Sequence, residues 1–296
     1  MNRKGIYRGI AALFAMLVVF GLATAVSQAS ILASLLQNGQ NVLKDESGEK
    51  VFDADGSLSI TVGDVIWGAY KIGNNGSTSL DNQLYLVVAQ QIDTFVGNHF
   101  TMKAVDPISN PLRAGYTLNT LTGRADINAG AMVAVFDKAT GFSNDVNGIS
   151  VPLASLILSL NTEGVFEASF GISQPGDFFE GDALYTSGFS LATLYLVPPT
   201  TPLGSYVGGL TVLQNNATDV VFNDANYFFL NPTPYEAIVT LGSFSGANAP
   251  EINADYDIIN KTNVVVNATI VPEPASLAVW SLLAGAVGLV RLRRRR

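Results

Sequence analysis

Short runs of β-forming residues, broken at close intervals by turn formers, constrain this chain more than any other feature. Gln83–Gln91 (QLYLVVAQQ), Ala131–Phe136, Val165–Phe170, Leu191–Val197, Tyr206–Leu213, Tyr227–Leu230, Ala237–Leu241 and Thr262–Ile270 are rich in Val, Leu, Tyr and Thr. Gly, Asn, Asp, Ser and Pro stand between them. Such residues fit a pleated, half-buried surface, and turn formers at this spacing send the chain back on itself. The pattern predicts an all-β body of antiparallel sheets, arranged as a β-sandwich. Ile31, Leu32, Leu35, Leu36, Val42 and Leu43 follow a helical period instead, so a short amphipathic helix is expected near 31–43. Pro152–Asn161 (PLASLILSLN) reads as a short helix or as a buried strand. With no internal repeat and no linker-like tract, one domain is expected over 30–270, a boundary near residue 80 being the alternative.

Both ends of the chain differ from this body. Arg3, Lys4 and Arg8 precede an apolar run from Ile10 to Ala25, and small residues follow it. That order predicts a signal peptide over 1–29, cut after Ala25 (Ala-Thr-Ala) or after Ala29 (Ser-Gln-Ala). An uncleaved N-terminal anchor is the alternative. Near the other end, Pro272, Glu273 and Pro274 lead into sixteen mostly apolar residues, Ala275 to Val290. Arg291, Arg293, Arg294, Arg295 and Arg296 follow. As a transmembrane helix the run would rise about 24 Å against a hydrocarbon core of about 30 Å. Snorkelling arginines and an interfacial Trp280 make so short a span workable. The arginines hold their end in the cytoplasm, and the prolines keep the preceding segment extended.

Motif, span and basic cluster, in that order, resemble the PEP-CTERM sorting tail of exported bacterial proteins. The resemblance is confined to residues 271–296. It implies a partner, a membrane processing enzyme of the exosortase type, acting on an extended Pro272-Glu273-Pro274 segment. It also implies export through the inner membrane and residence in the cell envelope, surface or matrix of bacteria that make exopolysaccharide and biofilm. A plain C-terminal anchor is the alternative.

Charge and composition remove several function classes. The whole chain carries a formal −8. Setting aside Arg3, Lys4, Arg8, the five tail arginines and Glu273 leaves 8 basic and 23 acidic residues, so the body stands at −15. Such a surface repels nucleic acid and anionic lipid. There is no cysteine, hence no disulfide framework and no thiol nucleophile. His99 is the single histidine, too few for a histidine zinc site. Gly188-Phe189-Ser190-Leu191-Ala192 fails the last position of a G-x-S-x-G elbow, and no phosphate-binding glycine loop appears.

The sharpest chemical candidate is Asp53-Ala54-Asp55-Gly56-Ser57-Leu58-Ser59-Ile60-Thr61-Val62-Gly63-Asp64. Calcium takes six to eight oxygens from a short loop, and Asp53, Asp55, Ser57 and Asp64 fall near the spacing of an EF-hand-type loop. The glycine comes two residues early and the last ligand is Asp rather than Glu. The competing reading is an Asp-Gly turn, with Asp64 capping the next element. Asp177, Glu180 and Asp182 form a second acidic group, read as a solvated loop or as carboxylates for calcium or glycan hydrolysis. Trp67, Tyr70, Phe178 and Phe179 suit a sugar-stacking platform or a core. Asn75, Asn216, Asn260 and Asn267 begin Asn-x-Ser/Thr triplets and read as turn or strand-edge residues. The reading as a whole is an exported, non-enzymatic surface or matrix protein with a structural or adhesive role. A calcium-dependent carbohydrate-binding module and a carboxylate-based glycan hydrolase or lyase are the alternatives.

Overall fold

The computed structural model describes residues 30–37, 42–74, 84–138, 153–184, 190, 194, 202–222, 238–246 and 257–271. The signal peptide, Pro272, Glu273, Pro274, the apolar span, the tail arginines, Asn75 and the strand expected at 227–230 lie outside the described residues, as does all of 191–197 except Leu194. Mainly antiparallel β structure is found, as the alternation predicts. The strands are β1 (Val42–Phe52), β2 (Val65–Asn74), β3 (Leu84–Val96), β4 (His99–Ala104), β5 (Val133–Lys138) and β6 (Gly164–Gly171). They continue with β7 (Phe178–Ala183), β8 (Pro202–Asn215), β9 (Val220–Phe222), β10 (Ile238–Gly246), β11 (Ile258–Val266) and β12 (Ala268–Ile270). Among the described residues three α-helices accompany them: α1 (Ile31–Gln37), α2 (Leu118–Thr122) and α3 (Leu153–Glu163). No helix among the described residues is long and apolar enough to cross a membrane.

Ten strands form one sheet, and the pairings between them are antiparallel. They close on themselves. The circuit runs β1–β2–β3–β4–β7–β8–β10–β11 and returns to β1. The sheet is thus hydrogen-bonded all the way round, as a closed barrel. Between β3 and β8 the wall is shared by two strand pairs. Leu84–Val88 of β3 pair with β5, whereas Gln90–Val96 pair with β4. Thr211–Asn215 of β8 pair with β6, whereas Gly204–Gly209 pair with β7. Any cross-section therefore meets eight strands, the number at which a barrel interior is filled by side chains or holds one small ligand.

Strand alternation gives this wall two apolar faces. Inward go Leu43, Ile66, Ile72, Leu84, Leu86, Val88, Phe170, Leu210, Val264 and Val266. One end of the interior is plugged by α1 through Leu32, Leu35 and Leu36. Outward from β2, β3 and β5 go Val65, Trp67, Tyr85, Val87, Ala89, Ala134 and Phe136, beneath α2 and α3. The segment 153–163 is a helix because Leu153, Leu156, Ile157 and Leu160 form one buried stripe at 3.6-residue spacing. The helix expected over 31–43 is shorter. It ends at Gln37, and Val42 and Leu43 already belong to β1. Asn38, Gly39 and Asn41 are poor helix formers and interrupt the period.

Candidate functional site

The end of the barrel opposite α1 is not filled. Ile60, Ile66, Ile92, Phe95, Phe100, Met102, Phe179, Tyr206 and Ile258 line a cavity there, with Glu49, Gln90 and Asn260 as its polar members. Counting the open space at its mouth, it measures about 500 Å³. Each strand contributes by alternation: Glu49 from β1, Ile66 from β2, Gln90 and Ile92 from β3, Ile258 and Asn260 from β11. Phe179 stacks on Tyr206 with ring centroids 5.4 Å apart, and Phe95 on Phe100 at 6.1 Å. The Tyr206 hydroxyl is hydrogen-bonded to the Thr262 hydroxyl deeper in the barrel.

Glu49 is the chemical centre of this cavity. It faces Gly68 across the β1–β2 pair. A Cβ at Gly68 would lie 2.7 Å from Glu49 Cγ and 2.8 Å from the Gly48 carbonyl oxygen, so glycine there makes room for the acid. Burial pushes the Glu49 carboxyl up to about 8, against a smaller downward pull from its hydrogen bond to Asn260. At neutral pH it is a neutral acid, able to donate one O–H bond into an apolar chamber. Sequence reasoning passed over Glu49 and Gln90 and gave Asn260 no part in a site. The signal available was a polar residue at an inward position of a strand, but neighbouring Lys and Glu hide the alternation of β1. Asn260, read as a strand-edge residue, lies inside the barrel and is buried.

The Asp53–Asp64 segment is the β1–β2 connection, at the same end, and sends Ile60 into the cavity wall. It is tied to β3 by Gly63 N–H to the Ile92 carbonyl and Ile92 N–H to the Asp64 carbonyl, both 2.9 Å. Asp53, Asp55 and Asp64 come together, with one carboxylate oxygen of each within 4.8 Å of the others. Those carboxylates are already engaged. Asp53 accepts the N–H groups of Asp55, Gly56, Ser57 and Leu58. Leu58 adopts a left-handed φ of 59° with its side chain exposed, and its N–H meets Asp53 Oδ2 at 2.8 Å. Asp64, fully buried, accepts Ala54 N–H at 2.8 Å and Thr61 N–H at 2.7 Å. Its carboxyl is raised by burial and by the charges of Asp53 and Asp55. Ser57 and Thr61, donating to Asp55, pull that carboxyl down to about 2. Ser57 Oγ itself turns to Ser59, donating to its carbonyl at 3.1 Å.

The second acidic group is divided, and it is not a loop throughout. Asp177 pins the turn before β7, accepting Ser173 and Gln174 N–H and the Thr211 hydroxyl, each at 2.7 Å. Glu180 and Asp182 stand on the outer face of β7, on either side of the His99 ring at 3.5 and 3.2 Å. The aromatic residues divide likewise. Trp67 lies in the outer core beside Tyr116, whereas Phe179 lies in the cavity, so they form no common platform. No protein-family model, curated protein or solved structure matches this chain.

Proposed function

We propose that this is an exported, non-enzymatic protein of the bacterial envelope or matrix, sorted by an exosortase-type enzyme and serving a structural or adhesive role. The observation that carries this reading is the ordered set Pro272-Glu273-Pro274, apolar span and arginine cluster. A plain anchor has use for the span and the arginines but none for the motif. The body suits exposure to solvent. It is acidic, and each of the ten strands of the closed sheet has a partner on both sides, so that sheet offers no edge strand to template aggregation. Its two ends also leave from one place. Asp219 accepts Ser30 N–H on its side chain and Val271 N–H on its carbonyl, at the end plugged by α1. Two membrane-directed segments would then depart from that end, and the cavity would open away from the membrane. Replacing Pro272, Glu273 and Pro274 by alanine tests the sorting reading in a host carrying the matching enzyme. Wild type should lose the C-terminal arginines and leave the inner membrane, while the variant accumulates there at full length. Wild-type protein ending at Arg296 in the inner membrane would refute it.

A second reading is favoured by the cavity. Apolar walls around one buried neutral acid fit a small, mainly apolar molecule that carries one hydrogen-bond acceptor. Under this reading the envelope role includes ligand binding, with the barrel as receptor. An environment-sensitive apolar dye should be retained by wild type and lost from Phe179→Trp, which fills the cavity. Equal dye binding by both proteins would remove the cavity from consideration.

A further inference from the structure

At the plugged end of the barrel three buried carboxylates act on one another through their charges. Asp137 on β5, Glu167 on β6 and Asp219 just before β9 are 8%, 6% and 8% exposed. Burial lifts Asp137 to about 6 and Glu167 to about 7, and the Asp219 charge adds to both. No ion pair among the described residues includes any of the three. Acids buried together cost stability unless a cation shares their space.

The backbone that enters this group is the start of α1. Ser30 N donates to Asp219 Oδ2 at 2.6 Å and the Ser30 hydroxyl to Asp219 Oδ1 at 2.9 Å. Ile31 N donates to Asp137 Oδ2 at 2.7 Å. Asp137 Oδ1 is buried without a hydrogen-bond partner, so an acceptor is left over beside the first residues of the helix. Ser30 directly follows Ser27-Gln28-Ala29, one of the two small-residue sequences at which a signal peptide could be cut.

We propose that the Ala29–Ser30 bond is where the exported chain is cut, and that the new α-ammonium of Ser30 is the cation that compensates the buried charge of Asp137, Glu167 and Asp219. Hydrolysis by a signal peptidase consumes one water, leaves a carboxylate on Ala29 and places a protonated amine on Ser30. The amide nitrogen carries one hydrogen, which Asp219 takes. The ammonium carries three and a positive charge, so it can serve the spare oxygen of Asp137 as well. Cleavage after Ala25 would leave Ser30 an amide and bring no charge to the group. Processing would thus complete the plug of the barrel, and the precursor would fold with three uncompensated acids. The proposal rests on the signal-peptide reading.

The test uses full-length protein exported by a Gram-negative host and purified from the envelope. Mass spectrometry of the mature N-terminus should find Ser30. A start at Val26 would overturn the proposal while leaving the signal peptide in place, whereas an uncut N-terminus would remove both. On the Ser30 form, the rate of α-amine acylation is followed against pH, folded and in urea. An ion-paired amine should titrate at least one pH unit higher in the fold than in urea, and Glu167→Gln should shrink that gap. A buried amine without an ion pair would titrate lower in the fold, and an amine free in solvent would titrate equally. Either result would overturn the proposal with wild-type protein alone, whether or not the variant folds.

Discussion

Glu49 couples the fold to pH in a direction opposite to that of a paired surface acid. Its carboxyl titrates near 4.5 when unperturbed and about 8 in the folded barrel. Below about 4.5 both states hold the proton. Between there and 8 the unfolded chain ionises while the fold keeps its proton, so stability falls as pH rises through that window and levels off above it. The size is on the order of a few kcal/mol. Glu49→Gln keeps the volume and the contact with Asn260 but has no proton to lose. It is expected to flatten this component and to be more stable than wild type at pH 9, read from urea unfolding at pH 5 and pH 9. Asp137 and Glu167, raised where no cation stands beside them, contribute equally to both proteins, so Glu49 is read from the difference between the two. An unchanged difference between pH 5 and pH 9 would show that Glu49 does not ionise from a buried site. The Asp53 loop yields a second expectation at this scale. Its carboxylates already hold the loop's own N–H and O–H groups, so calcium should leave the melting temperature of metal-free protein unchanged. A rise with calcium that is lost on replacing Asp53, Asp55 and Asp64 by Asn would establish a cation site instead.

Among the elements, α3 shows how a single helix serves the outer face. Leu156 is wholly buried against the barrel wall, whereas Leu158, two residues on, is 57% exposed. Leu156→Ala should cost about 2–5 kcal/mol, since it removes transfer energy and leaves a cavity. Leu158→Ala should change stability by less than about 0.5 kcal/mol. Equal losses in chemical denaturation would mean that the stripe has been assigned to the wrong face. This element was half legible in the sequence. Its apolar run was visible, but periodicity over so few residues does not separate a buried helix from a buried strand. β3 and β8 were readable because their apolar runs are long, and β6 because Val and Phe recur along a short stretch bounded by glycines. β1 was not, because VLKDESGEKVF places Lys, Asp and Glu along a strand whose buried partners come from elsewhere. β4 and β7 are short and half polar, and the inward places of Phe100 and Phe179 are fixed only once β3 and β8 flank them. The same limit hid the cavity. Asp53, Asp55 and Asp64 lie close in sequence and could be grouped by spacing, whereas Glu49 and Asn260 meet only through the β1–β11 register.

For the whole molecule, each of the ten strands of the closed sheet is paired on both sides, and the body carries a formal −15. Residues 30–271, made without either terminal segment, are expected to give a far-ultraviolet circular dichroism spectrum dominated by β structure and to sediment as a monomer. A helix-dominated spectrum would reject the architecture, and concentration-dependent association would reject the protection of its edges.

The closing seam of the barrel joins Val42 to Val265, the first and nearly the last residues of its wall. Synthesis delivers β1 long before β11. For most of that interval β1 has β2 alone to pair with, and a two-stranded ribbon is marginal in water. Folds dominated by such distant pairings also form slowly. Closure of the sheet therefore has to wait for its trailing strand: the β1–β11 seam is expected to form late in folding, after most of the body has been made.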